Sequence, residues 1–342
     1  MGRPSKPLIL VARVGRRPPG LPEDGSGYEY EFADDPELIR QILPRAEILF
    51  AWNFTHSTWF RDMFHEAKCL RWVHTAGVGV EPLLSSEVVS SEVMITNSGG
   101  VYERPMAEYA VMLMLQMAKD SVRTWQDQQV HKWNKRSTTS LDRRVVLIVG
   151  AGPIGRAIAR LSRAFGMIPL GVARSQREGD DDFDFIYASR ELLDVLGRAD
   201  YVVLVAPLTI ATAGVFGREA LDRMKPSARL LNLGRGGLVD EAALFEALAK
   251  ERIAGAALDV FQEEPLPPAH PFWQLPNAII SPHMSGDVED TAERFVGSFL
   301  ENLHLWIAGK PLHYVVDKTL GFRPGGVMTV ANADAKRGNQ RA

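Results

Sequence analysis

The stretch Val145-Val-Leu-Ile-Val-Gly150-Ala-Gly-Pro-Ile-Gly155-Arg-Ala-Ile-Ala-Arg160 decides the fold of this chain. Its apolar run predicts a buried strand, and its glycine-rich turn opens a helix predicted over 153–165. The first glycine permits a tight turn, the second lets the backbone approach a pyrophosphate, and the third allows close helix–strand packing. The helix N-terminus then offers unpaired N–H groups. The pattern predicts a dinucleotide site, rather than a glycine turn without a ligand, at Gly150, Gly152, Pro153, Ile154 and Gly155.

Regularly spaced apolar runs follow this motif. They cover residues 145–149, 167–172, 201–206, 229–233, 254–258 and 278–281. Helical segments are predicted between most of them, over 153–165, 189–198, 217–224 and 240–251. Runs of this length suit strands that are buried on both faces, and strands that alternate with helices form parallel sheets. The sequence therefore predicts an α/β fold with a Rossmann-type, doubly wound parallel sheet.

The first hundred residues predict a second α/β region. Strands are expected over 8–14, 48–52, 72–75 and 94–97, with a helix around 56–68. The apolar segment 103–118 predicts a buried or interface helix, since methionine fills irregular gaps well. The polar residues 119–141 predict a connecting excursion, and an amphipathic helix is expected from about 285 to 308. A chain of 342 residues is thus expected to form two domains.

Charge and composition exclude several classes of function. The net charge is -3, which gives no broad basic field for nucleic acid or an anionic membrane surface. Cys69 is the only cysteine, so neither an intrachain disulfide nor a cysteine metal cluster can form. The histidines 56, 65 and 74 lack metal-like spacing with acidic residues, so no metal site is predicted. No secretory or membrane-spanning run is present, so we expect a cytoplasmic protein.

The end of the second strand of the predicted sheet indicates which dinucleotide is bound. Ala173 stands where an acidic residue usually holds the ribose 2′-hydroxyl, and Arg174 and Ser175 follow it. A guanidinium binds a 2′-phosphate through its forked N–H groups, whereas a carboxylate would repel it. We therefore predict that NADP(H) is preferred and that NAD(H) is also accepted; a solvated loop arginine is the alternative. The acidic run 180–182 comes too late to be the ribose acid unless its loop folds back.

Three charged or titratable residues follow the last three strands of the predicted sheet. They are Arg235, Glu264 and His283. Ligands bind beyond the carboxyl ends of strands in open α/β sheets, so we expect a substrate to meet these side chains. An arginine fork can pair with a carboxylate, and an acid on the Nδ1–H of a histidine fixes its tautomer for proton transfer. Spacing alone leaves open whether Glu263 or Glu264 faces the histidine.

Five motifs, in order, resemble the D-isomer-specific 2-hydroxyacid dehydrogenase family over roughly residues 45–320. They are Gly150-Ala-Gly-Pro-Ile-Gly155, Ala206-Pro-Leu-Thr-Ile-Ala-Thr212, Asn232-Leu-Gly-Arg-Gly-Gly-Leu-Val-Asp240, Ala257-Leu-Asp-Val-Phe-Gln-Glu-Glu-Pro-Leu266 and Ser281-Pro-His283. The chain is most similar to members that resemble glyoxylate/hydroxypyruvate reductases. The resemblance implies an NAD(P)-dependent enzyme that reduces a small 2-keto acid to the D-2-hydroxy acid by hydride transfer.

The resemblance also implies roles for individual residues. Arg235 would bind the carboxylate and carbonyl of the substrate, and Glu264 would orient His283 as the general acid of reduction. Pro207, Gly234 and Asp259 would also lie at the cofactor. Of these, Asp259 would hold the nicotinamide carboxamide. The loop Thr75-Ala-Gly77-Val78-Gly79 resembles the family's substrate loop, whose backbone N–H groups bind the carboxylate. Gly79 departs from the aspartate that members often carry there.

Family architecture implies how the domains are ordered. Residues 1–118 and 286–320 would form a flavodoxin-like substrate domain, residues 119–285 an inserted dinucleotide-binding domain, and residues 321–342 a flexible tail. Active members are usually dimers built around the segment that resembles 99–140, so a homodimer is expected.

Two other functions stay open. A D-3-phosphoglycerate dehydrogenase-like enzyme is one, although no regulatory domain follows residue 320 and no basic phosphate pocket is visible in the sequence. A dinucleotide-sensing binding module without turnover is the other, because such relatives can retain the whole triad. The sequence names neither the physiological keto acid nor the direction of flux.

Overall fold

The computed structural model of the chain describes residues 6–12, 17–23, 27–52 and 59–323. These residues divide into two compact units. The first unit contains the residues up to Val101 and those from Val288 onward, and the second contains Tyr102 to Asp287. The second unit is therefore inserted, in sequence, between two segments of the first.

The described residues of the first unit form five parallel strands. They are β1 (Leu8–Ala12), β2 (Glu29–Ala33), β3 (Ile48–Ala51), β4 (Trp72–Thr75) and β5 (Met94–Asn97), and the helices are α1 (Pro36–Ile42), α2 (Trp59–Met63), α3 (Ser86–Ser90) and α10 (Thr291–Ile307). The strand order β2-β1-β3-β4-β5 is that of flavodoxin-like sheets, which confirms the predicted fold class. The sequence does not predict β2, because this edge strand alternates polar and aromatic residues directly after a Pro- and Gly-rich segment.

The helix α10 packs on one face of this sheet. Phe299 stacks on Phe50 with ring centroids 4.2 Å apart and an interplanar angle of 8°. After α10 the chain returns to the sheet edge, where the N–H of Val316 donates to the carbonyl oxygen of Ile95. The segment after α10 thus completes the first unit although it is distant from β5 in sequence.

The second unit contains an eight-stranded sheet. Its strands are β6 (Val145–Val149), β7 (Ile168–Ala173), β8 (Arg177–Glu178), β9 (Phe185–Ala188), β10 (Tyr201–Leu204), β11 (Arg229–Asn232), β12 (Gly255–Leu258) and β13 (Ala278–Ile280), in the order β13-β12-β11-β10-β6-β7-β9-β8. All neighbours are parallel except β8 and β9. The six predicted strands are present in a doubly wound Rossmann-type sheet. The two short outer strands, β8 and β9, were not expected from the apolar pattern.

Helices cover both faces of this sheet. They are α4 (Glu103–Lys119), α5 (Ser121–Gln129), α6 (Pro153–Ala164), α7 (Leu192–Val195), α8 (Arg218–Arg223) and α9 (Glu241–Ala249). The helices α4 and α6 pack together against Ile148 and Val203. The helices α7, α8 and α9 pack against Leu147 and Leu204 on the opposite face. Burial on both faces explains why these strands are continuous apolar runs.

The boundaries of the second unit differ from the predicted ones. Ala107, Ala110 and Met114 of α4 are buried in the same cluster as Ile158 of α6, so α4 belongs to the inserted unit. The boundary therefore falls at 101/102 instead of 118/119, and at 287/288 instead of 285/286. An apolar helix gives no sign in sequence of which sheet it covers. Within the predicted connection 119–141, residues Ser121–Gln129 form a helix.

Some predictions fall on residues that the structure does not describe. The end of the predicted strand 8–14 and the start of the helix 56–68 lie outside the described residues, as does the tail from residue 324. Residues 321–323, which we assigned to the tail, begin in a turn: the N–H of Gly321 donates to the carbonyl oxygen of Asp317.

Candidate active site

The glycine-rich turn after β6 leaves room for a ligand at the start of α6. Gly150 has φ +116°, and a Cβ there would lie 2.7 Å from the backbone nitrogen of Ala206. A Cβ at Gly155 would lie 2.0 Å from the carbonyl oxygen of Gly150, so both glycines are required by close packing. Gly152 differs, because a Cβ there would meet no atom within 4 Å. Open space in front of a helix N-terminus fits a pyrophosphate. The N–H groups of the residues that follow Pro153 would stabilise its negative charge.

The connection after β7 carries the predicted 2′-phosphate residues. β7 ends at Ala173, and Arg174 and Ser175 directly after it are exposed. The acidic run that follows folds back onto α6, where Asp180 and Asp182 both accept hydrogen bonds from Arg156. Both carboxylates are thus paired with an arginine of α6.

Arg235 lies at the carboxyl end of β11. The side chain of Asn232 shapes its loop, because Oδ1 accepts from the N–H of Gly234 at 3.2 Å and Nδ2 donates to the carbonyl oxygen of Arg235 at 3.0 Å. Arg235 Nη1 donates to the carbonyl oxygen of Gly234 at 2.8 Å. The sequence analysis did not single out Asn232, although an asparagine before a glycine at a strand end indicates such a turn.

Glu264 and His283 form a close pair. His283 Nδ1 lies 2.7 Å from Glu264 Oε2, and Glu264 Oε1 accepts from the N–H of Phe261 at 2.8 Å. Glu263 is exposed, so the structure resolves which glutamate faces the histidine. A carboxylate only accepts, so Nδ1 carries a hydrogen and Nε2 is the nitrogen that can exchange a proton with a substrate. The geometry is that of an oriented acid–base group.

The backbone of His283 is held in an unusual conformation. Its φ is +52°, a left-handed value that few residues other than glycine adopt, although asparagine, aspartate and histidine do so more often than the rest. Its N–H donates to the carbonyl oxygen of Asp259 at 2.8 Å. Residues in such conformations persist only where surrounding contacts impose them, and they cluster at functional sites.

Asp259 supplies most of those contacts. Its carboxylate accepts from Ser281 Oγ at 2.5 Å, from the N–H of Met284 at 3.0 Å and from the N–H of Ser285 at 2.9 Å. The residue has 0% exposure. Its contact with a nicotinamide carboxamide, which the resemblance implied, stays a prediction. In this structure Asp259 binds the turn that carries His283.

The loops that carry Arg235 and Glu264 are joined to each other. A Cβ at Gly236 would lie 1.9 Å from the carbonyl carbon of Phe261, so the two backbones touch. Gln262 Nε2 donates to the carbonyl oxygen of Val239 at 2.9 Å, and its N–H donates to Glu241 Oε1 at 2.7 Å. The sequence analysis missed Gln262 and Glu241, because a polar loop residue carries no pattern that reveals its partner.

The loop after β10 reaches the same edge of the sheet. Thr212 Oγ1 donates to the carbonyl oxygen of Pro207 at 2.7 Å and fixes the turn there. A Cβ at Gly234 would lie 3.2 Å from the carbonyl oxygen of Ala206, so the loops after β10 and β11 are in close contact. The predicted residues Pro207 and Gly234 therefore lie at the carboxyl edge of the inserted sheet, where α/β folds bind ligands.

The predicted substrate loop belongs to the first unit. Thr75 Oγ1 and the N–H of Ser98 donate to the carbonyl oxygen of Gly77 at 2.9 and 3.0 Å, and Asn97 Nδ2 donates to that of Val78 at 2.8 Å. All three bonds use carbonyl groups of the loop. The N–H groups of residues 77–79, including Gly79, donate none of the hydrogen bonds found among the described residues. Such a loop can present N–H groups to an anion.

A buried polar cluster supports this loop. His74 Nδ1 lies 2.8 Å from Thr96 Oγ1, and Nε2 lies 3.2 Å from Ser98 Oγ, which donates to the carbonyl oxygen of Thr75. Burial lowers the pKa of His74 to about 3, so the ring is neutral. The histidine is thus a structural residue with satisfied nitrogens.

The described residues contain neither a group of metal ligands nor a membrane-spanning helix. Among them, no three His, Cys, Asp or Glu side chains are grouped as metal ligands. No helix in the same ranges is long and apolar enough to cross a bilayer. His65 lies 3.6 Å from Glu66, and His56 falls outside the described residues.

Known proteins resemble the chain in both sequence and structure. A family model described as the NAD binding domain of D-isomer specific 2-hydroxyacid dehydrogenases matches residues 111–285. A glyoxylate reductase from Korarchaeum cryptofilum is 34% identical over 275 residues, which cover 78% of this chain and 82% of that protein. A D-3-phosphoglycerate dehydrogenase from Methanocaldococcus jannaschii is 31% identical over 275 residues, 77% of this chain and 50% of that protein.

A solved structure agrees with these relatives. It is an NADPH-dependent glyoxylate/hydroxypyruvate reductase from Sinorhizobium meliloti in complex with NADP and sulfate, with a TM-score of 0.78 and 26% identity, covering 93% of this chain and 100% of that chain. The chain therefore belongs to the D-isomer specific 2-hydroxyacid dehydrogenase family. It is an oxidoreductase with a domain that binds a nicotinamide dinucleotide, which confirms the predicted family and enzyme class.

Proposed function

We propose that the protein reduces a small 2-keto acid, such as glyoxylate or hydroxypyruvate, to the D-2-hydroxy acid with NADPH. The observation that carries this proposal is the 2.7 Å contact between His283 Nδ1 and Glu264 Oε2 at the sheet edge where Arg235 also lies. An imidazole oriented by a carboxylate is a general acid, and a nearby guanidinium fits an anionic substrate. The glyoxylate reductase relatives support the choice of keto acid.

The residues of the site have distinct roles in this reaction. The nicotinamide supplies the hydride when it is bound. Arg235 binds the substrate carboxylate through its fork and stabilises the negative charge that develops on the carbonyl oxygen. His283 gives the proton on Nε2 to that oxygen, and Glu264 stabilises the imidazolium from Nδ1. In the first unit, the N–H groups of Gly77, Val78 and Gly79 are proposed to bind the substrate carboxylate as well.

NADPH is the proposed cofactor. β7 ends at Ala173, so no carboxylate stands at its end to bind a ribose 2′-hydroxyl or to repel a phosphate. Arg174 and Ser175 are exposed there, where a guanidinium can pair with a phosphate in forked geometry. The structure of the relative from Sinorhizobium meliloti contains NADP, which supports this choice of cofactor.

A panel of keto acids assayed with NADPH and NADH tests the proposal. We expect loss of nicotinamide absorbance with glyoxylate or hydroxypyruvate, and a higher kcat/KM with NADPH. Phosphohydroxypyruvate in the same panel tests the phosphoglycerate dehydrogenase alternative, which one relative supports. Dinucleotide binding without turnover of any keto acid would instead favour the binding module.

We also propose a homodimer. Val130 and Trp133 follow α5 and are 70% and 97% exposed, and Trp125 of α5 is exposed as well. Large apolar side chains on one surface segment indicate a protein interface. Light scattering should give the mass of two chains for the wild type and of one chain for Trp133→Asp; a monomeric wild type would refute the dimer. The cytoplasmic location stays a prediction.

A further inference from the structure

An ion-pair network joins α6 to the connection between β7 and β9. Arg156, the fourth residue of α6, donates to Asp180 Oδ2 at 2.8 Å and to Asp182 Oδ2 at 2.9 Å. Arg163, two turns later on the same helix, donates to Asp184 Oδ1 at 2.5 Å. Between these two residues, Arg160 Nη1 donates to Asp182 Oδ1 at 3.3 Å, and Arg163 also donates to the carbonyl oxygen of Asp182 at 3.3 Å. Three arginines of this helix therefore hold the connection, and Arg156 is the one that binds Asp180.

Asp180, which binds Arg156 near the glycine-rich turn, also forms hydrogen bonds within the connection. Asp180 Oδ1 accepts from the N–H groups of Asp182 and Phe183, both at 3.0 Å, while Oδ2 binds Arg156. The guanidinium of Arg156 lies 5.7 Å from the ring centroid of Phe183. One carboxylate thus both closes the turn and fastens it to α6.

The rest of the connection leads from β7 to the acidic turn. It begins with Arg174 and Ser175, and its only strand is the two-residue β8, which pairs with the edge of β9. A two-residue edge strand adds little stability by itself. The acidic turn follows β8 closely, so its contact with α6 fixes one end of the segment that begins with Arg174 and Ser175.

We propose that Arg156 is a positioning residue for cofactor choice, which holds the connection so that Arg174 and Ser175 meet the 2′-phosphate of NADPH. This inference rests on the proposed function, because it deepens the preference for NADPH. Arg156 acts through the acidic turn and needs no contact with the cofactor.

Two variants that change the charge in opposite directions test the proposal. Arg156→Ala removes a positive charge, and Asp180→Asn removes a negative charge but keeps an oxygen acceptor for the turn. Both remove the ion pair between Arg156 and Asp180, so both should lower the ratio of kcat/KM for NADPH over NADH by about tenfold. If local charge alone set the preference, the two variants would shift the ratio in opposite directions, and that result would overturn the proposal.

Asp184→Asn is the matched control, because it removes one negative charge and breaks the ion pair with Arg163 at the far end of α6 but leaves Asp180 bound to Arg156. Its ratio should stay within about twofold of the wild type. Ratios for Arg156→Ala and Asp180→Asn that also stay within this range would overturn the inference.

Binding of 2′,5′-ADP and 5′-AMP, measured by calorimetry, gives the same comparison without turnover. We expect both test variants to weaken binding of 2′,5′-ADP more than that of 5′-AMP. A wild type that binds both nucleotides but turns over no keto acid would refute the proposed function, while the variants would still decide the role of Arg156.

Discussion

Replacement of Glu264 by glutamine tests how the histidine is oriented. In the wild type, one carboxylate oxygen accepts from the N–H of Phe261 and the other binds His283 Nδ1 at 2.7 Å. An amide has one oxygen and one NH₂ group, so Glu264→Gln cannot accept from both donors. Either the bond to Phe261 or the bond to the protonated His283 must be lost.

The size of the effect follows from the bond that is lost. A hydrogen bond to a charged group is worth about 1.5–3 kcal/mol. Since about 1.4 kcal/mol corresponds to a tenfold change in rate, we expect Glu264→Gln to lower kcat for keto acid reduction by about 10- to 100-fold. The affinity for NADPH should change little, because the two hydrogen bonds of this carboxylate join protein groups, the Phe261 N–H and His283.

The assay is steady-state oxidation of NADPH at saturating keto acid, with dinucleotide affinity measured separately by fluorescence. Glu263→Gln is the matched control, because the neighbouring glutamate is exposed and carries the same chemistry. Its kcat should stay within about twofold of the wild type. Equal kcat values for the two variants would refute the assigned role of Glu264.

Three further predictions concern packing and pH. Gly236→Ala should lower the free energy of unfolding by about 3 kcal/mol in urea titrations, because its Cβ would lie 1.9 Å from the Phe261 backbone; an unchanged midpoint would contradict this contact. Gly152→Ala should leave stability nearly unchanged but weaken dinucleotide binding, because its Cβ meets no protein atom within 4 Å and occupies the space in front of α6; unaltered affinity would place the pyrophosphate elsewhere. Burial lowers the pKa of His74 to about 3, below its unfolded value of about 6.5, so the unfolded state binds a proton first as pH falls. The wild type should lose about 2 kcal/mol of stability between pH 7 and pH 5 from this residue. In His74→Asn this part of the pH dependence should be absent, and an equal loss in both proteins would refute it.

The sequence predicted the inserted sheet well because its strands are buried on both faces. Such strands are continuous apolar runs, as in 145–149 and 229–233, and each ends near a residue of the site. The outer strand β8 was missed because Arg177 and Glu178 are exposed and carry no apolar pattern. Its neighbour β9 is a short apolar run, Phe185–Ala188, that the sequence analysis did not single out. The helix α4 was recognised as apolar, but its assignment to the inserted unit required its contacts with α6.

The candidate site was predictable where the chemistry lies in residue type and strand position. Arg235 and His283 follow from that rule, but the choice between Glu263 and Glu264 did not. That choice depends on a 2.7 Å contact between loops that are separated in sequence. The binding of the histidine turn by Asp259 depends equally on tertiary contacts, because a buried aspartate after a strand has no distinct signal in sequence.

Turnover and dinucleotide affinity, measured together on the wild type and on His283→Asn, test the central claim most directly. Asparagine tolerates the left-handed φ of +52° at this position, so the loop should keep its conformation. We predict NADPH oxidation by the wild type with glyoxylate or hydroxypyruvate, and a kcat at least about 100-fold lower for the variant with its affinity for NADPH retained. Equal turnover by the two proteins would contradict the assignment of His283 as proton donor.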